Sequence, residues 1–340
     1  MNTNLNTFLK IAIFLFAPLV SIGQQVEFSQ FYSAPLHLNP ALAGISHGPR
    51  LSMTYRNQWP ELTTGPNGGF TTYAVSYDQH IEAIQGGIGI QFISDRIAND
   101  KIVDNSVAIT YAYQLRIKDK VGIKFGIGGS YKHRYINFHD LTFLDQIDPI
   151  NGFTQTTGIT YNTNEPPPSN FNRNIFNANA GIALFTQKYY GGLAFTNILP
   201  EKDFYNDQTS RLRMAAHAGA LFKFGKNPFK QKFFIAPQAL YVYQNNFHQI
   251  TLGSMVGYDF VYLSLWGRHN IKNMESVIVG LGFKKSVIRF GYSYDINVSP
   301  LKGTAGSHEF TFAFNFTKED NSLNPSYRQG RMPCPYYLDF

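Results

Sequence analysis

The sequence has almost no cysteine. Cys334 stands alone among 340 residues, so no internal disulfide can form. It lies between Pro333 and Pro335 and is left as either an unpaired tail thiol or an intermolecular contact. Charge is also scarce: 15% of residues are charged, where a soluble chain carries about a quarter. The net charge of +7 is dispersed rather than gathered in a basic patch, which excludes a nucleic-acid partner for an exported chain. Catalytic and metal signatures are missing. G-x-S-x-G, H-E-x-x-H, a phosphate-binding loop and paired cysteine ligands are all absent. No catalytic, cofactor or metal residue is therefore expected. Ser293 in Gly291-Tyr292-Ser293-Tyr294-Asp295 lacks the second glycine and reads as an ordinary lumen serine. His217 lies mid-strand without a visible partner.

Long apolar runs are missing too, with one exception. Lys10 precedes Ile11–Val20, and Ser21-Ile22-Gly23 supplies small residues before Gln24. The run is short for a membrane span and holds a proline, so residues 1–23 are expected to be a signal peptide cut near Gly23.

What is present is alternation. In Ser307–Phe316, Phe310, Phe312, Phe314 and Phe316 alternate with Thr311, Ala313 and Asn315. A period of two puts the rings on one face of a strand. The same pattern recurs along the chain with almost no helical pattern between to cover it. Lipid is the economical cover, which predicts a transmembrane antiparallel β-barrel, apolar outside and polar inside. Aromatics at 16%, with Tyr and Phe far outnumbering Trp, fit aromatic girdles.

Fourteen segments fit as strands: Arg50–Trp59, Phe70–Gln79, Gly86–Asp95, Ser106–Leu115, Val121–His133, Ile175–Phe185, Tyr189–Asn197, Met214–Phe224, Phe233–Tyr243, Gln249–Asp259, Val261–Asn270, Ser276–Phe283, Val287–Asp295 and Ser307–Phe316. Alternate connections are long, Asp140–Arg173 above all, and the others mostly tight. Long loops outside and short turns in the periplasm are the outer-membrane rule. Lys124 falls on an inward position, which a wet lumen accepts. Gly86-Gly87-Ile88-Gly89 and Gly126-Ile127-Gly128-Gly129 lie inside strands without dinucleotide-binding spacing. They read as barrel curvature and room for lumen contents.

Four regions follow: signal peptide 1–23, an N-terminal segment 24–49, a barrel 50–316 and a periplasmic tail 317–340. Pro35, Pro40 and Pro49 keep the second region from being a strand. It is expected in the lumen as a plug or against the periplasmic rim. Phe340 reads as a tail residue, not an insertion signal.

The residues of this region carry a resemblance. Phe28-Ser29-Gln30-Phe31-Tyr32, then Pro35-Leu36-His37-Leu38-Asn39-Pro40-Ala41-Leu42-Ala43-Gly44, then Tyr55-Arg56-Asn57-Gln58-Trp59-Pro60 resemble the PorP/SprF family, outer-membrane proteins of the type IX secretion system of Bacteroidetes. Its motif is close to Q-F-S-Q-Y, N-P-A-x-A-G and Y-R-x-Q-W. The chain differs mildly, at Glu27, Tyr32 and Leu42. The resemblance implies a non-enzymatic secretion component in the cell outer membrane. It further implies contact with periplasmic ring proteins and with a large secreted surface adhesin or its C-terminal domain. The alternatives are a channel for small solutes and, more remotely, a barrel enzyme. Plug or partner contacts are expected at Gln30, Asn39, Pro40, Arg56, Asn57, Gln58, Trp59 and Cys334. Arg56 and Gln58 are expected to hydrogen-bond carbonyls of the N-terminal segment, since arginine presents five donors in a fixed fork.

Overall fold

A computed structural model describes residues 26–316 except 47, 63–68, 119–120, 149–151, 154–162, 169, 203–208, 211, 226–232, 271–272 and 299–303. The expected signal peptide, Gln24, the tail with Cys334, and Phe340 lie outside the described residues.

The strands are β1 (Arg50–Gln58), β2 (Phe70–Ile81), β3 (Gly86–Ile97), β4 (Ile102–Lys118), β5 (Val121–Ile136), β6 (Asn172–Thr186) and β7 (Tyr189–Thr196). Next come β8 (Arg213–Ala220, continued by Phe222–Phe224), β9 (Phe233–Gln244), β10 (Phe247–Tyr258), β11 (Val261–Asn270), β12 (Met274–Lys285), β13 (Ile288–Asn297) and β14 (Ser307–Asn315). Each pairs antiparallel with the next, and β14 pairs with β1, Arg56 opposite Glu309. The result is a closed barrel of fourteen strands. Two-residue ladders, Ile147–Asp148 with Gly152–Phe153 and Glu201–Lys202 with Thr209–Ser210, decorate the long connections. No described helix is long and apolar enough to cross a membrane.

Closure needs no covering layer, because it leaves no unpaired edge. Outward side chains are the apolar half of each alternation. Ile109, Ile127 and Leu263 are exposed, as lipid-facing residues must be once lipid is stripped away. Rings gather at both rims. Tyr55 lies 5.2 Å from Tyr73, and Tyr292 lies 4.8 Å from Phe310. At the other rim Phe224 lies 5.7 Å from Phe233, and Phe260 lies 5.6 Å from Phe283. These are the two girdles of a membrane barrel.

The connections differ from the expectation in one respect. Long ones share one rim (59–69, 137–171, 197–212 and 298–306), but three others there are tight: 98–101, 245–246 and 271–273. The strands flanking 98–101 run longer than their alternation suggested. Asn245 and Asn246 both take positive φ, 50° and 64°, as a two-residue hairpin turn requires. The expected strand Met214–Phe224 is interrupted. Its ladder to β9 lapses between Gly219 and Phe222, and Leu221 N–H donates instead to Lys188 O at 2.8 Å. Pro237, which has no N–H to give, stands in the gap on β9.

Inside, the lumen is filled. Residues 26–46 lie against inward faces all round the barrel. An apolar cluster joins Phe31, Tyr32, Leu38 and Leu42 to Phe185, Leu221, Phe234, Met255, Trp266 and Ile278 of the wall.

Candidate functional site: the luminal segment

The segment is a chain of short helical turns, and its prolines start them. Pro35 is the first residue of α1 (Pro35–Leu38), and Pro40 opens a 3-10 turn, Pro40–Leu42. Proline suits a first helical position because its fixed φ is already helical and its missing N–H would be unpaired there anyway. Asn39 caps the second turn, its Oδ1 accepting from Ala41 N–H at 2.8 Å. A compact coil of this kind fits within a barrel where a strand would not.

One anchor is charged. Glu309 on β14 accepts the backbone N–H groups of Ser29 and Gln30, each at 2.8 Å. Ser29 Oγ donates to Asp295 Oδ2 at 2.6 Å. The same hydroxyl accepts from Arg56 at 2.5 Å and from Arg268 at 3.0 Å, so its one proton and two lone pairs are all engaged. Arg56 also donates to Glu309 and Asp295 at 3.0 Å each, and Arg268 donates to Asp295 at 3.0 Å. Gln30 bonds the backbone carbonyl of Glu309 at 3.2 Å and accepts from Thr311 Oγ1 at 2.9 Å. All four charged groups are buried. Two cations face two carboxylates, so the cluster is neutral overall, the condition under which buried charge is tolerated.

The second anchor is built from missing side chains. A methyl group on Gly126 would collide with Ala41 N, and one on Gly181 with Asn39 Oδ1. On Gly87 it would strike Ala43 O, and on Gly89 Leu36. Gly87 and Gly126 let segment backbone lie directly on wall backbone, while Gly89 and Gly181 make room for the side chains of Leu36 and Asn39. Asn39 Nδ2 then reaches Ile182 O at 3.1 Å, Leu193 O at 3.2 Å and His217 Nε2 at 3.0 Å. Its two hydrogens serve two of the three at a time. Bonding His217 requires that imidazole to carry its proton on Nδ1. Lys124 Nζ donates to Ala43 O at 2.5 Å. Beyond it Gly44, at φ +62°, gives its N–H to Asp78 at 2.8 Å, and Arg50 grips the same carboxylate at 3.0 and 3.1 Å.

Between the anchors, Phe31 packs edge-on to Trp266 at 5.3 Å and Tyr32 lies 5.7 Å from the same indole. Near the start of the segment Glu27 pairs with Arg213 at 2.6 Å, at the outer end of β8. His37 Nε2 donates to Val26 O at 2.8 Å. Burial holds the His37 imidazole below its ordinary pKa, and Arg213 pushes the same way.

Gln30, Asn39, Pro40 and Arg56 thus meet at the segment. Arg56, however, bonds a hydroxyl and two carboxylates instead of segment carbonyls, because Asp295 and Glu309 reach it first. The cation that takes a segment carbonyl is Lys124, expected in a wet lumen but buried here. Gln58 accepts from Arg56 at 3.4 Å. Asn57 has the opposite parity on β1. Trp59, at φ 56°, gives its N–H to Gly306 O at 2.8 Å and packs 5.6 Å from Phe70 at the rim. Ser29, Lys124, His217, Arg268, Asp295 and Glu309 were not singled out as contacts beforehand. Inward parity within an apolar-out strand was the available signal for the wall residues. Among the described residues no group of three could hold a metal ion. The chemistry of the site is that of holding a segment in place.

A family described as "Type IX secretion system membrane protein PorP/SprF" matches residues 20–314. No curated protein matches the chain. Several solved structures are similar to it. The monoaromatic hydrocarbon channel CymD has 11% identity, with 88% of this chain and 96% of that one covered and a TM-score of 0.44. A Pseudomonas aeruginosa FadL homologue has 10% identity, 84% and 94% coverage and a TM-score of 0.41. BamA from Haemophilus ducreyi lacking POTRA domains 1–3 has 8% identity, 79% and 70% coverage and a TM-score of 0.37.

Proposed function

The chain belongs to the PorP/SprF family of type IX secretion system membrane proteins, and on that premise we propose that it is a plugged, non-enzymatic outer-membrane component of that system. Its task is to support the secretion and surface attachment of a cargo such as a large adhesin, gripping the cargo's C-terminal domain, while contacting the periplasmic ring. Its signal peptide is cut near Gly23, and its tail, 317–340, stays in the periplasm. The observation that carries this reading is the filled lumen: residues 26–46 are anchored on both sides of the barrel, at Glu309 and at Asn39. A barrel so occupied is a scaffold instead of a conduit. Single-channel recording and cargo display test it together. The purified barrel conducts negligibly in planar bilayers, and deleting its gene removes the adhesin from the cell surface. A steady open conductance with normal display would replace the scaffold by a small-solute channel.

A further inference from the structure

The charge that is dispersed along the sequence is not dispersed in the fold. Strand direction assigns each described side chain to one half of the barrel. The half that carries the long connections holds eight described lysines and arginines and eleven acids. The half that carries the short turns holds eight and three. The excess of positive charge sits at one mouth.

Parity divides the cations of that mouth. Lys188 lies in the turn from β6 to β7, and Lys285 is on the outward face of β12; both are exposed toward lipid. The other six, Arg50, Arg116, Lys124, Lys223, Lys284 and Arg289, face inward. Arg116 stands opposite buried Gly122, Lys223 opposite buried Phe234, and Lys284 opposite Arg289. Among the described residues Asp78 is the one acid on this inner face, and it holds Arg50 and Gly44. Glu82 and Asp259 lie in the turns themselves. Like charges directly opposite one another repel, as Lys284 and Arg289 do. With the amide of Asn315 turned to accept, Arg289 donates to its oxygen at 2.9 Å. That bond orients the guanidinium and leaves its charge in place. Arg116 and Lys223 are exposed at the mouth, whereas Lys284 and Arg289 are buried behind it. A cleft lined by one sign of charge between low-dielectric walls focuses its field on what approaches.

We propose that this mouth docks an acidic polypeptide segment of a soluble partner. The proposal rests on the reading above that the short turns face the periplasm, and it adds the chemistry of the contact. Arg116 and Lys223 meet the carboxylates of the segment, and Lys284 and Arg289 supply potential from behind. Inward parity selects the class of partner. Lipid headgroups reach Lys188 and Lys285 but not the inner face, which is open to a soluble chain.

The mature barrel in phosphatidylcholine nanodiscs, titrated with fluorescent oligoglutamate, tests this by anisotropy. Oligoglutamate binds, oligolysine of the same length does not, and affinity falls as salt is raised. Arg116→Gln with Lys223→Gln weakens binding about tenfold, the worth of two ion pairs at a wet surface. Lys284→Gln weakens it too, whereas Lys285→Gln, one residue on but facing lipid, leaves it unchanged. Heat-modified gel mobility confirms that each variant is closed. Should Lys284→Gln fail to close, the exposed pair decides alone. The readout needs neither cargo nor conductance, so its failure leaves the scaffold reading standing, and an open barrel could still dock the peptide. Equal binding of oligoglutamate and oligolysine overturns the proposal. So does undiminished binding by a closed Arg116→Gln, Lys223→Gln barrel, or a loss in Lys285→Gln that matches it, which would give the charge to the lipid surface. Binding that appears only after residues 317–340 are removed gives the mouth to the chain's own tail and overturns it equally.

Discussion

The luminal segment is held at two places by opposite means. At Ser29 and Gln30 the wall supplies charge: Arg56, Arg268, Asp295 and Glu309. At Leu36–Gly44 the wall supplies absence: Gly87, Gly89, Gly126 and Gly181. The charged anchor is a set of bonds that a solvated ligand or a protonation could in principle replace. The glycine seat is a shape, and nothing replaces a shape. The charged anchor is therefore the place for release and the seat the place for register.

The largest effect comes from filling the seat. Gly126→Val puts a side chain where Ala41 backbone lies, and backbone cannot step aside. The segment should leave the wall altogether while the barrel still closes. Limited proteolysis read by mass spectrometry would show cleavage within 24–49, together with measurable conductance. Uncut segment in a closed Gly126→Val barrel would remove the seat from the account.

Next comes Arg56→Ala. It leaves Asp295 and Glu309 buried with Arg268 alone, and breaking a buried pair by removing one partner costs about 3–5 kcal/mol. The expected result is faster proteolysis of 24–49 with near-normal barrel mobility and loss of cargo display. Glu309→Gln should be milder at the N–H groups of Ser29 and Gln30, since an amide oxygen still accepts. If both variants unfold the barrel instead, the cluster belongs to the wall and not to the segment.

Smaller again is Asn39→Ala. It removes bonds to Ile182, Leu193 and His217 and leaves a cap unmade, at a cost of about 1–3 kcal/mol for buried groups left unpaired. Hydrogen exchange at Ala41 should rise with little change at Gln30, which would separate the two anchors. Equal rises at both would show one cooperative unit. The smallest effect belongs to Glu27→Gln. Arg213 is buried and Glu27 keeps some contact with solvent. The introduced amide can still accept from the guanidinium, so exchanging a charged for a neutral hydrogen bond costs about 1 kcal/mol. Proteolysis near Val26 checks it.

The barrel was legible because alternation is local. Phe310 to Phe316 announce a strand without knowing their neighbours, and the strand set needed only adjustments such as the ends of β4. The anchors were legible in part. Asn39 and Arg56 stood out through their motif, but which wall residues they meet depends on pairings across 178 and 253 positions of chain, and no local period encodes those. Gly87 and Gly126 are legible as room for lumen contents, but that those contents are the backbone of Ala43 and Ala41 is fixed only by where the folded segment lies. His217 seemed partnerless for the same reason. Pro35 and Pro40 break a strand, as expected, and they also begin the turns that let the segment coil.

Arg56 and Glu309 sit on the first and the last strand, opposite one another where β1 meets β14. Ser29 and Gln30 therefore bind a place that does not exist until the final strand has been made. The segment precedes its wall in the chain, and Gln30 bonds Glu309 and Thr311 across 279 and 281 positions, so their joining belongs to the slow, late part of folding. The segment spans the joint between the first and last strands from within. Locking Ser29 and Gln30 therefore waits on the closing of the ring, and any delay in closure is a delay in locking.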